Sequence, residues 1–327
     1  MPLGSSRKVL EATSAYLSNL LLRYSDGETE TNKGWVRLQR SLVADNPDFE
    51  PSDTRLVVQD RVYDQFRVKR GIAPTKISFG ALGFAEQARR SYREFCDLRN
   101  AGAIQQKARF LVTFPAPAAF LSSFIDPAYR SAVERPYVEG LFDELQRIMD
   151  AVPHSDLAVQ WDVVHEILAM EGALGYFAAQ DELLPRLAEL GSRIPEPVDV
   201  GFHFCYGYLN RKHQIEPQSV RLMVGVANAL TDRMARPINF VHMPVPRDRS
   251  DPEYFAPLTD LRLRPETELY LGLIHLTDGI AGTRQRITAA AAVRPEFGIA
   301  TECGFGNRPP ETIPQLLELH VQAATGS

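Results

Sequence analysis

Cysteine is scarce: three in 327 residues, far apart at positions 96, 205 and 303. An odd, dispersed set argues against a disulfide framework and for a reducing compartment, where cysteines act as core residues or as metal and catalytic groups. There is no surplus of basic residues. Lys and Arg number 36 against 41 Asp and Glu, a formal net charge of −5, so the chain lacks the basic face that non-specific nucleic-acid binding requires. No apolar run reaches the roughly 18–20 residues that span a bilayer, and the opening MPLGSSRK (1–8) lacks the apolar core of a secretory signal. The expectation is a cytoplasmic protein with neither a nucleic-acid nor a membrane partner. Low-complexity segments and charge blocks are absent as well. No G-x-G-x-x-G sits between a strand and a helix, so a dinucleotide-binding reading lacks its fingerprint.

What is present is an ordinary globular composition, 44% apolar and 24% charged. The length fits one large α/β barrel or two ordinary domains. Short apolar runs alternate with helical patterns. The runs lie at 16–23, 76–80, 109–114, 157–162, 198–205, 238–243, 269–275 and 297–303. Most end at Pro or Gly, and helical patterns at 85–100, 135–151, 182–190, 218–236, 283–293 and 312–323 separate or follow them. Strands alternating with helices form a parallel sheet. Eight of them predict a closed (β/α)8 TIM barrel in one domain, 1–327, with a doubly wound open sheet as the alternative. The polar stretch 24–75 reads as an irregular insertion or lid after the first strand.

In such a barrel the chemistry sits at the C-terminal ends of the strands. That rule selects Asp26 and Glu28 after the first run and Asp162 after the fourth, with His165 and Glu166 just beyond. It selects His203 and Cys205 on the fifth, His242 on the sixth, His275 and Asp278 at the seventh, and Glu302 and Cys303 at the eighth. Side chains alternate along a strand, so His203 and Cys205 share a side and Phe204 points away. An H-x-C pair of this kind can be two interior residues or half of a metal site. Cys303, ahead of Gly304 at another strand end, favours the metal. Zn2+ suits mixed imidazole and thiolate donors and keeps one position open when catalytic; His242 is a candidate fourth ligand. Asp162, Asp26, Glu28 and Asp278 are acid/base candidates. Trp35, Trp161, Tyr206, His275 and Glu302 are candidate substrate contacts. Arg247 and Arg249 could meet an anion or stand in solvent, and Cys96 reads as a small core residue.

Three segments carry a resemblance. GFHFCYG (201–207) resembles the strand of cobalamin-independent methionine synthases that bears an H-x-C zinc pair. TECGFG (301–306) resembles their late D-C-G segment, whose cysteine is also a ligand. VQWD (159–162) resembles their Q-x-D strand, whose aspartate holds the substrate amino group. The likeness covers about residues 157–327 and points to short, single-barrel relatives in the methionine synthase and uroporphyrinogen decarboxylase grouping. It implies His203, Cys205 and Cys303 as zinc ligands. His242 stands where the family has a glutamate ligand, and DVVH (162–165) replaces the family's D-E-P-A. Neither homocysteine nor folate therefore follows from the resemblance.

Two reactions fit these residues. One is alkyl or methyl transfer to or from a zinc-activated thiol on a small molecule. The other is a zinc-dependent lyase or hydrolase reaction, in which metal Lewis acidity works with Asp, Glu or His acid/base groups. A metal-free barrel is the third possibility.

Overall fold

The computed structural model describes residues 1–27, 29, 38–58, 61–174, 180–207 and 213–326. Among the described residues, seven parallel strands form one sheet: β1 (Arg23–Ser25), β4 (Arg109–Pro115), β5 (Leu157–Val163), β6 (Asp199–Phe204), β7 (Phe240–Pro244), β8 (Glu268–Ile274) and β9 (Gly298–Thr301). They lie side by side in chain order, and each pair is parallel. Every residue of β6 and β7 is buried, as expected where helices cover a parallel sheet. The flanking helices include α1 (Ser6–Leu17), α2 (Ser41–Ala44), α3 (Phe84–Asn100), α4 (Pro117–Phe124), α5 (Arg130–Met149), α6 (His165–Met170), α7 (Gln180–Ser192), α8 (Arg221–Arg233), α9 (Pro252–Phe255), α10 (Gly279–Ala291) and α11 (Ile313–Thr325).

The closed eight-stranded barrel is corrected in two places. The run at 16–23 is mostly the end of α1 and the turn after it. Ser5 caps that helix by accepting from the Lys8 N–H, and Val9, Leu10, Thr13 and Leu17 recur at helical spacing on its buried side. Arg23 alone of that run enters β1. The run at 76–80 makes no strand, and β1 pairs directly with β4, Arg23 opposite Arg109. Its apolarity has another use: Ile77 and Phe79 are buried, and Phe79 packs on Phe49, Phe120 and Tyr137. Among the described residues β1 and β9 share no ladder. Residues 24–75, expected to be irregular, contain the antiparallel hairpin β2 (Phe49–Val58) and β3 (Arg61–Val68). It docks on the end of α4: Asp126 N–H donates to Phe66 O (2.9 Å), and Gln65 Nε2 donates to Ser122 O (2.7 Å).

The sheet nevertheless curls as a TIM-like barrel does. Arg23 on β1 reaches across to Asp199 on β6 (2.8 Å) and Glu268 on β8 (2.7 Å), strands that are not its neighbours. Arg109 reaches the other oxygen of Asp199 at 3.4 Å. The Arg23 guanidinium also lies over the Phe240 ring, 4.5 Å from its centroid. These groups share an interior that only a curled sheet provides. Above the ions, Phe240 fills the space left by Gly201, and Tyr270 fills that left by Gly298; a Cβ on either glycine would overlap the ring. The N-terminal end of the interior is thus plugged by ion pairs and aromatic rings, and the C-terminal end carries the candidate site.

Replacing Arg23 by Met removes the cation that both carboxylates face. Leaving Asp199 buried beside Arg109 alone is expected to cost about 3 kcal/mol, read from urea denaturation. Arg55→Met, which breaks an exposed pair with Asp64 in the hairpin, should change the midpoint little.

Candidate metal centre

Register builds the site. Asp162 on β5, His203 on β6 and His242 on β7 are directly paired across neighbouring strands. Such partners project to one face of a sheet. Cys205 follows β6 by one residue, and its N–H donates to Val163 O (3.1 Å), which continues the ladder and keeps the thiol on the side of His203. Cys303 arrives from β9. What lets β9 come so close is Gly272 on β8. A Cβ there would lie 2.7 Å from Glu302 Cα, 2.9 Å from Thr301 O and 3.0 Å from Pro244 Cα, all backbone atoms that cannot swing aside. The β8–β9 register also shifts between Leu271 and Ile274.

Potential ligand atoms of His203, Cys205 and Cys303 lie within 4.8 Å of one another, so the group could hold a metal ion. The two sulfurs are 3.8 Å apart, far beyond a disulfide bond. Two thiolates on tetrahedral zinc, with Zn–S near 2.3 Å, stand about 3.8 Å apart, so the donors fit that ion in type and spacing. His203 Nδ1 lies 2.5 Å from His242 Nδ1, and His242 Nε2 lies 3.1 Å from Thr301 O.

Burial, reinforced by the neighbouring ring, holds the His203 imidazolium pKa well below its usual value. Burial lowers His242 to about 4, against the opposing pull of the Thr301 carbonyl and Glu302. Both rings are therefore neutral near pH 7, the form that binds metal. The Cys303 thiol is pushed up by its hydrogen bond with Cys205, then by burial and by the charges of Cys205, Asp162 and Glu302. Without a cation this pocket resists a second negative charge, and a bound metal would reverse that.

The other sequence-predicted residues divide. Asp162 faces the cluster and accepts from Gln160 Nε2 (2.8 Å). Glu302, next to Cys303, is buried. Its Oε1 accepts from Arg308 Nη2 (2.8 Å), while its Oε2 lies 3.5 Å from His275 Nδ1 and, among the described residues, has no hydrogen-bond partner. His275 is tied on its far side, with Nε2 2.9 Å from Val245 O. Asp278 is committed elsewhere, gripped through both oxygens by Arg286 (2.6 and 2.9 Å); burial alone would raise its pKa, but that guanidinium holds it low. Asp26 turns toward α1 and α3, with Gln87 Nε2 3.4 Å away, and burial raises its pKa. Trp161, one residue before Asp162, points the opposite way and packs against Phe114 and Phe142. Tyr206 is buried with its hydroxyl 3.3 Å from that of Tyr254. Glu28 and Trp35 lie outside the described residues. Arg249 pairs with Asp251 and Arg247 with Asp248, and Cys96 is half-buried against the core.

Sequence reading missed Gly272, Arg308 and the Thr301 carbonyl. An isolated glycine inside an apolar strand is a known mark of close backbone approach, so Gly272 had a readable signal. Arg308 had none, since its use depends on how the segment after β9 folds back.

The chain resembles the solved structure of a putative vitamin-B12-independent methionine synthase from Listeria monocytogenes. The TM-score is 0.58 at 16% sequence identity, over 98% of this chain and 87% of that one. The curled α/β architecture is therefore similar to the fold of that structure. No family model matches the chain, and no curated protein matches it.

Two outcomes follow from the site. Gly272→Ala should push β9 away from β8 and β7, destabilising the fold and lowering metal uptake together, measured by thermal unfolding and metal analysis. Glu166, buried at the start of α6, accepts from Ala118 N–H (2.9 Å), and burial pushes its pKa up to about 7. A carboxyl raised in the folded state favours its proton there, so stability falls as pH rises from the ordinary carboxylate range toward 7. Glu166→Gln should be more stable than the parent at pH 8, by about 3 kcal/mol at most, with the difference vanishing below pH 5.

Proposed function

We propose that the chain is a zinc-dependent enzyme of the methionine synthase-like type, a transferase that moves an alkyl or methyl group to or from a thiol. The observation that carries this reading is the His203, Cys205 and Cys303 donor set with its 3.8 Å sulfur spacing. Bound there, zinc would hold a substrate thiol as thiolate at neutral pH, the nucleophilic form. The protein's own groups do the rest. Asp162 faces the same space and offers carboxylate charge to a substrate ammonium. Glu302 Oε2, buried and without a hydrogen-bond partner among the described residues, is an acceptor awaiting a donor from the substrate; Arg308 holds the other oxygen and fixes the carboxylate's direction. The Arg23 plug closes the interior from below, so substrate approaches from the C-terminal side. We read residues 1–327 as one TIM-like barrel domain that acts on a small molecule. Among the described residues, no helix is long and apolar enough to cross a membrane.

A second reading is a zinc-dependent lyase or hydrolase. It is favoured by the family's glutamate ligand being replaced by neutral His242, since a less negative donor set leaves the metal a stronger Lewis acid. Incubating the zinc-loaded protein with small thiols and methyl or alkyl donors separates the two. Loss of free thiol matched by thioether supports transfer; consumption of donor with water as the acceptor supports hydrolysis.

The purified protein should carry about one zinc per chain, and Cys205→Ser and Cys303→Ser should each lose most of it on metal analysis. Full retention in both would remove the site. Asp162→Asn should keep its zinc while turnover falls at least tenfold.

A further inference from the structure

We infer that His242 is a positioning residue for His203: it receives the His203 Nδ1–H and passes its own Nε2–H to the Thr301 carbonyl, so that His203 presents Nε2 to the metal. The inference rests on the metal reading above and deepens it, because it takes His242 out of the ligand set.

The direction of the relay follows from what each partner can do. A carbonyl oxygen only accepts, so His242 Nε2, 3.1 Å from Thr301 O, must carry the hydrogen. With the ring uncharged, His242 Nδ1 is then a bare lone pair. The atom facing it, at 2.5 Å, is His203 Nδ1. Two lone pairs at that distance would repel, so His203 carries its hydrogen on Nδ1 and keeps Nε2 bare.

The geometry also leaves no room for a metal between the rings. Two imidazole nitrogens on one tetrahedral zinc, each near 2.0–2.1 Å from it, stand about 3.3 Å apart, well beyond the separation here. The ring centroids are 4.7 Å apart with planes 24° from parallel. That is the separation two imidazoles reach when the N···N line runs straight from one ring to the other, the alignment of a hydrogen bond. Imidazole ligands commonly donate their other N–H to a carboxylate, carbonyl or water, which sets tautomer and orientation. Here a second imidazole takes that place, anchored on β9 two residues before Cys303. The Thr301 carbonyl thus ties the histidine of β6 to the strand that delivers the distant cysteine.

The test uses the full chain. In metal-free protein with 15N-labelled histidine, ring nitrogen shifts should show His203 as the Nδ1–H tautomer and His242 as the Nε2–H tautomer; the opposite assignment for either overturns the relay. X-ray absorption of the zinc-loaded protein should count one imidazole and two sulfurs, unchanged in His242→Ala. Two imidazoles in the parent, falling to one in the variant, would make His242 a ligand. Competition with a chelator should show 10–100-fold weaker zinc binding in His242→Ala at unchanged stoichiometry. His242→Asn, whose side-chain oxygen can accept near the Nδ1 position, should recover most of the loss; failure to recover it in a folded variant would overturn the acceptor role. If the parent takes up no zinc at all, the metal reading falls and the role of His242 toward it falls too, whereas wrong tautomers in a zinc-binding parent remove the relay alone.

Discussion

Arg23 is the group on which the arrangement turns. It stands on the first strand of the sheet and satisfies carboxylates on the fourth and the sixth strands along it, Asp199 and Glu268. Charges this buried are tolerated only when paired, and the pairs exist only while the sheet is curled. The same strand that supplies Asp199 at its lower end supplies His203 four residues on, with Gly201 between them on the same face. Curl, plug and candidate metal site therefore all draw on one short strand, β6, held between Phe240 and the ions below it.

The upper end of the interior depends on small residues in the same way that the lower end depends on charge. Gly272 lets three backbones meet, and this brings Cys303 beside Cys205 from the far side of the sheet. The site has been assembled by removing a side chain as much as by adding donors. Glu302 shows the complementary point: Arg308 directs it, and among the described residues its second oxygen has no hydrogen-bond partner, in a place where such an atom costs free energy.

Much of this is legible in the order of the amino acids. Six of the strands lie where short, mainly apolar runs place them, because a strand covered on both faces is mostly apolar. The H-x-C spacing needs only strand alternation to be read. The failures share a cause: apolarity does not show backbone pairing. Leu20 and Leu21 belong to a turn after a capped helix, and Ile77 and Phe79 plug the core under the hairpin without a neighbouring strand. The hairpin itself is hidden because its outward positions are polar or charged over much of its length. Arg23, Arg286 and Arg308 are invisible as interior groups, since their partners meet them only after folding.

The gap between β1 and β9 has its own consequence. Among the described residues no ladder joins those edges, and helices stand in: Leu17 of α1 is buried against Ile313 and Leu317 of α11. The two segments that seal the curl are almost the whole length of the sequence apart. Closing it means paying the entropy of a very long loop for a modest apolar contact, so the seam should form after the rest of the sheet and open before it. During synthesis the central strands can stack as they emerge, with β1 paired to β4, while α1 waits for α11. The Arg23 ion pairs, with one partner on β6 and the other on β8, would hold the open edge in the meantime.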